Sequence, residues 1–165
     1  MKYKSLGEFL NEAKARFAKG PVALIFAEDA VEVDSTLRHH LKTGFGHVVL
    51  LADDAIPNAA DLNDKISRIS YDVRAEGAVP AAVNAMIAAA PGIWIYYCFN
   101  AEYLFHPFCE TRNIREVIAF HTEERREAML SYVIDLYAGD LNSFPNAVSL
   151  ENALMDRSGY YALGR

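Results

Sequence analysis

Apolar residues recur along this chain in two rhythms. Leu6, Phe9, Leu10, Ala13 and Phe17 fall at helical spacing, which predicts a helix over 6–18. Gly20-Pro21 stops it. VALIF (22–26) is then an unbroken apolar run rich in strand formers, the pattern of a strand buried on both faces. Over 31–43 the rhythm is helical again, with Val33, Leu37 and Leu41 on one face and Gly44 placed as a C-terminal cap. HVVLLA (47–52) repeats the buried-strand pattern and ends in Asp53-Asp54. Strand, helix and strand joined by short connections make a βαβ unit, which requires parallel pairing and a crossover.

The segment 55–64 is loop-like. KISRISYDV (65–73) alternates apolar and polar residues and predicts a third strand. An alanine-rich helix follows over 80–90, with Pro80 tolerated in its first turn and Pro91-Gly92 ending it. IWIYYCF (93–99) is the fourth strand. Beyond residue 108 the pattern weakens. Residues 110–128 suit a helix capped by Thr111 or Asn113, with Glu116 completing a capping box from Asn113. MLSYVIDLY (129–137) fits either a continuation of that helix or a fifth strand, and Tyr, Val and Ile favour the strand. Residues 138–165 are turn-rich. The succession predicts a single α/β domain over 1–165: a mostly parallel sheet of four or five strands with helices on both faces.

Composition narrows the partners. The chain has 165 residues, 52% hydrophobic and 23% charged, as a folded globular domain requires. A net charge of −6 argues against nucleic acid, because phosphate contacts need clustered Lys and Arg. The opening MKYKSLGEFLNEAKARF reads as an amphipathic helix without the apolar core of a signal peptide. No apolar run approaches the roughly 20 residues of a transmembrane helix. Cys98 and Cys109 form no disulfide framework or metal spacing, so the expectation is a cytoplasmic protein with reduced thiols.

Three predicted strand ends carry acids: Glu28-Asp29, Asp53-Asp54, and Glu102 beside Asn100. Ligands of open parallel sheets bind beyond the carboxyl ends of the strands. Carboxylates there accept hydrogen bonds from a ribose or base, or hold a divalent cation with a phosphate. The same residues also solvate loops and cap helices. There is no GxGxxG, no GxxxxGK[ST] and no GxSxG, so a dinucleotide loop, a P-loop and a nucleophile elbow are not expected. The five histidines lack HExxH spacing, and the His39-His40 rings point to different faces of their helix. EERRE (123–127) reads as a solvated face, with Arg125 or Arg126 as minor phosphate candidates. Asp156, Arg157, Tyr160 and Tyr161 either close over a sugar or phosphate or pack as a tail.

The segments FAEDAVEVDSTLRHHLKTGFGHVVLLADDA (26–55), AAVNAMIAAAPGIWIYYCFNAEYLFHPF (81–108), MLSYVIDLYAGD (129–140) and LMDRSGYY (154–161) together resemble the nucleotide-sugar half of a family 2 glycosyltransferase of GT-A fold. The resemblance implies a nucleotide-sugar site in which Ala27, Glu28 and Asp29 edge the uracil or ribose pocket. Asp53 and Asp54 would contact base or ribose, and Asn100 and Glu102 would lie near the diphosphate. In that family a DxD motif holds Mn²⁺ or Mg²⁺ there. Here its aspartates fall on Phe99 and Ala101, leaving Glu102 and Asn100 as a weak metal pair. The stretch after residue 140 is short for an acceptor half. Three readings follow: a transferase moving a sugar to an acceptor hydroxyl, a non-catalytic descendant binding on the same edge, or an α/β interaction module. In the last, segments 93–108 and 132–161 would join copies of the chain as a homo-oligomer.

Overall fold

All six side chains of strand β2 (Val22–Ala27) are buried, and so are five of the six in β3 (His47–Ala52). These strands lie in the middle of a five-stranded parallel sheet, ordered β1-β4-β3-β2-β5, with β1 at Lys2–Tyr3, β4 at Ser67–Ser70 and β5 at Ile95–Phe99. Burial on both faces is why their sequences are continuously apolar rather than alternating. Val22, Leu24 and Phe26 project to one face with Phe9, Phe17 and Met86, which come from helix α1 (Leu6–Arg16), its C-terminal end, and helix α3 (Ala78–Ala89). Ala23, Ile25 and Ala27 project to the other face with Leu37 of α2 (Val33–Thr43) and Ile114 of α4 (Ile114–Glu123). Each fully buried Leu, Ile or Phe contributes about 1.5–3 kcal/mol.

This computed structural model describes residues 1–17 and 20–155. It divides into two compact units, Met1–Arg125 and Arg126–Arg165. Among the described residues, the first holds the five-stranded sheet and the α-helices α1 to α4. In the second, β6 (Leu136–Ala138) pairs antiparallel with β7 (Ala153–Met155).

Several boundaries differ from the sequence expectation. Lys2–Tyr3, expected within an amphipathic helix, is instead the edge strand β1, paired with Arg68 and Ile69. Two residues are too short to show a period, but Tyr3 is buried, and the terminal amine of Met1 donates to Asn63 O and Ile66 O at 2.6 and 2.9 Å. The third strand is shorter than 65–73. The helix expected over 110–128 covers Ile114–Glu123, with the Asn113–Glu116 capping box in place. Of 129–137, only Leu136 and Tyr137 are extended strand, in β6, so the fifth strand of the main sheet is β1. Gly44 caps α2 with φ 99°, its N–H reaching Leu41 O.

Chain order positions the site. From β2 the chain crosses to β3 on one side, while β5 returns to the other. The loops leaving β2 and β5 therefore flank the point where the strand order reverses, and all five carboxyl ends share one edge.

Candidate functional site

At that reversal point one side chain joins the two loops. Asn100, just past β5, accepts from the Glu28 amide through Oδ1 at 3.0 Å. Its Nδ2 donates to Asp29 Oδ1 at 2.8 Å and to Val31 O at 2.9 Å. Its own amide donates to Phe26 O. The next residue, Ala101, turns the chain at φ 60°, and its amide donates to Thr36 Oγ1 at 2.9 Å. Glu102 folds back, accepting from the Phe99 amide at 2.8 Å through Oε2. The Tyr103 hydroxyl then meets Ser35 Oγ at 2.8 Å, and His39 Nε2 donates to Leu104 O at 2.8 Å. The FNAEYL turn is thus laced to the β2–α2 loop and to α2.

Beneath the turn, His40 is fully buried against Phe45 and Tyr96. Its Nδ1 donates to Thr36 O at 2.8 Å, which leaves Nε2 as an acceptor 3.8 Å from Cys98 Sγ. Burial pushes the imidazole down to about 4 and the thiol up to about 12, so both groups are neutral at physiological pH. Cys98 and the exposed Cys109 are both free thiols.

Beyond β2, β3 and β4 lies a cleft of about 250 Å³, lined by Ala27, Glu28, Asp53, Ile56, Asp72, Val73 and Arg74. Its β3 wall is fixed by Arg68, a residue only 8% exposed. It donates to Asn58 Oδ1 at 3.0 Å, to Asp53 O at 2.8 Å and to Ile56 O at 2.7 Å. Asp53 Oδ1 accepts from the Ala55 amide, which holds its carboxylate in a tight turn. On the β4 side, Asp72 Oδ1 accepts from the Arg74 amide at 3.1 Å. Arg74 Nη2 reaches Glu28 O at 2.8 Å. Because β3 lies between β4 and β2, that bond crosses over the β3 end. A second, more open cleft of about 450 Å³ sits between the start of α2 and residues 57–59.

The sequence candidates therefore separate. Ala27, Glu28 and Asp53 line the smaller cleft. Asp29 and Asn100 bond to each other at the reversal point. Asp54 turns to the sheet edge, where Ser70 donates to it and Lys2 pairs with it at 3.0 Å, together holding its carboxyl below the usual range. Asn100 has both side-chain polar atoms engaged, and Glu102 has one oxygen engaged. Among the described residues, no three His, Cys, Asp or Glu side chains converge as metal ligands. Asp156, Arg157, Tyr160 and Tyr161 lie outside the described residues.

Sequence reasoning missed Ile56, Asp72, Val73 and Arg74. The signal was present: ending the third strand at Ser70 makes Asp72 the mark of a fourth acid-bearing strand end, close to an arginine.

The strand order and the shared carboxyl edge define a small parallel α/β domain, Rossmann-like in layout. No family model, no curated protein and no solved structure matches the chain.

Proposed function

We propose that this chain binds a nucleotide, in the form of a nucleotide sugar, in the cleft beyond β2, β3 and β4, and holds it without transferring the sugar. The observation that carries the reading is the lining of that cleft. Glu28, Asp53 and Asp72 offer acceptors for ribose hydroxyls and base N–H groups, and Ala27, Ile56 and Val73 offer apolar surface for a base face. About 250 Å³ lies just below the usual range for small-molecule pockets and suits the nucleoside portion. A transferase needs a counter-charge for its leaving diphosphate. Asn100 and Glu102, the residues nearest that role by resemblance, are engaged in holding the FNAEYL turn. Binding without turnover therefore fits the geometry better than glycosyl transfer.

The test is thermal unfolding against UDP-, GDP-, dTDP- and CMP-sugars, with and without Mn²⁺. A ligand at 100 times its Kd stabilises by about 2.7 kcal/mol, a rise of roughly 5–11 °C for a chain of this size. The rise is expected for one nucleotide series, without need of Mn²⁺, and is expected to shrink in Asp53→Asn, which keeps the turn to Ala55. A flat panel rejects the reading. Sugar transfer or hydrolysis by the best ligand replaces binding with catalysis.

A further inference from the structure

The smaller cleft has an unusual charge balance. Three of its seven lining residues are carboxylates and one is a cation. A nucleoside, rich in donors, suits such a lining, but a phosphate is repelled from most of it. Among the described residues, three other basic groups toward this edge are engaged elsewhere. Lys2 pairs with Asp54. Arg68 is buried, with both terminal nitrogens bonded to the 53–58 loop. Arg38 is bidentate to Asp61 at 2.7 Å. Arg74 differs from all three. It is exposed, it lies in the lining, and one donated bond, to Glu28 O, anchors its guanidinium across the β3 end. A guanidinium carries five N–H donors in a fork that matches phosphate oxygens, so four remain for a ligand.

Resting on the nucleotide reading of this cleft, we infer that Arg74 is its phosphate-reading residue, supplying from a side chain the positive charge that a metal-dependent site takes from a divalent cation. The bond to Glu28 O holds the guanidinium against the loop after β2. The 71–77 turn, set by Asp72 and by the Tyr71 hydroxyl bonded to Ala78 O, fixes where it emerges. The nucleoside is then recognised by the carboxylates and the phosphate by Arg74, with no metal between them.

The experiment is titration calorimetry in EDTA with uridine, UMP and UDP, and with guanosine, GMP and GDP as a second series. The proteins are the wild-type 165-residue chain, Arg74→Gln and Arg74→Lys. In the wild type, phosphate should improve affinity by about 10- to 100-fold over the nucleoside, the range of a charge-assisted hydrogen bond, and added salt should erode the gain. Arg74→Gln should remove most of the gain, read as the ratio of nucleotide to nucleoside affinity within the same variant, since its truncated amide reaches no phosphate. Arg74→Lys should retain part of it. Nucleoside binding with no phosphate gain in the wild type, or a gain that persists in Arg74→Gln, overturns this inference and leaves the nucleotide reading standing. No binding by any of the six compounds, together with a melting temperature that stays flat against the UDP-, GDP-, dTDP- and CMP-sugars, overturns both.

Discussion

The Asn100 amide donates to the Asp29 carboxylate at 2.8 Å while its carbonyl accepts from the neighbouring Glu28 amide at 3.0 Å. One neutral side chain so uses both polarities to tie the loop after β2 to the end of β5. An aspartate at 100 keeps the acceptor but loses both donors, and sets a second carboxylate against Asp29. Asn100→Asp is expected to cost about 2–4 kcal/mol at neutral pH. Like-charge proximity raises the folded-state pKa of the new pair, so stability returns as pH falls through it. Asn100→Ala loses the same bonds without adding charge and should show no such recovery. Urea midpoints of both variants at pH 7 and pH 4.5 decide the matter, and parallel pH profiles would refute it.

His40 predicts a pH dependence of the opposite sense. Its imidazole falls from 6.5 to about 4 because burial disfavours the cation. Between those values the unfolded chain binds a proton at this residue and the folded chain does not, so stability rises with pH across the window and levels off below it. The shift corresponds to about 3 kcal/mol in all. Comparing wild type with His40→Gln at pH 7 and pH 4.5 isolates the contribution from that of the carboxylates. The wild type should lose more stability on acidification. An imidazole titration by NMR with a midpoint near 6.5 in the folded protein would contradict the account.

The fold was legible where one physical demand dominates the sequence. β2 and β3 are buried on both faces, so their runs are unbroken and unmistakable. Gly44 and the Asn113–Glu116 pair announce helix ends because caps depend on local chemistry. The end of β4 was not legible. Val73 is a buried loop residue, and its apolar side chain extended the alternation three residues past Ser70. Arg68 was hidden for a related reason: alternation treats a charged residue as solvent-facing, whereas this one is only 8% exposed because loop carbonyls surround it. For the site, acids at strand ends could be found by pattern, but their direction could not. Asp54 turns away from the cleft because Lys2 stands on β1, an edge strand too short to predict.

The first unit should fold by itself. The five-stranded sheet and every residue of both core clusters fall within Met1–Arg125. By contrast, Leu130 is 81% exposed, and Tyr132, Val133, Leu136 and Met155 are also largely exposed. A fragment ending at Arg125 is expected to unfold cooperatively within a few degrees of the full chain. It should also self-associate less, because it lacks that apolar surface. Circular dichroism melts and light scattering on the two proteins check this. A fragment without a cooperative melt would show that the sheet depends on residues after 125.

Arg68 links stability to the clefts, because the loop it holds forms a wall of each. Asp53 and Ile56 line the smaller cleft and Pro57, Asn58 and Ala59 the larger. Two of the three acceptors it satisfies are backbone carbonyls in that loop, and the third is Asn58 Oδ1. Arg68→Met fills similar volume but leaves all three without this donor, at a cost of about 2–4 kcal/mol. Arg68→Lys keeps a charge, yet its compact ammonium cannot span acceptors that the planar guanidinium reaches together, so it should recover only part of the loss. The effect should also be local. Hydrogen exchange at the amides of residues 53–59 is expected to accelerate in Arg68→Met more than exchange in β2, since Ala55, Ile56 and Ala59 donate within the loop or to Asp34. Uniform acceleration across the sheet would mean that Arg68 acts through global stability and does not set the walls of the clefts.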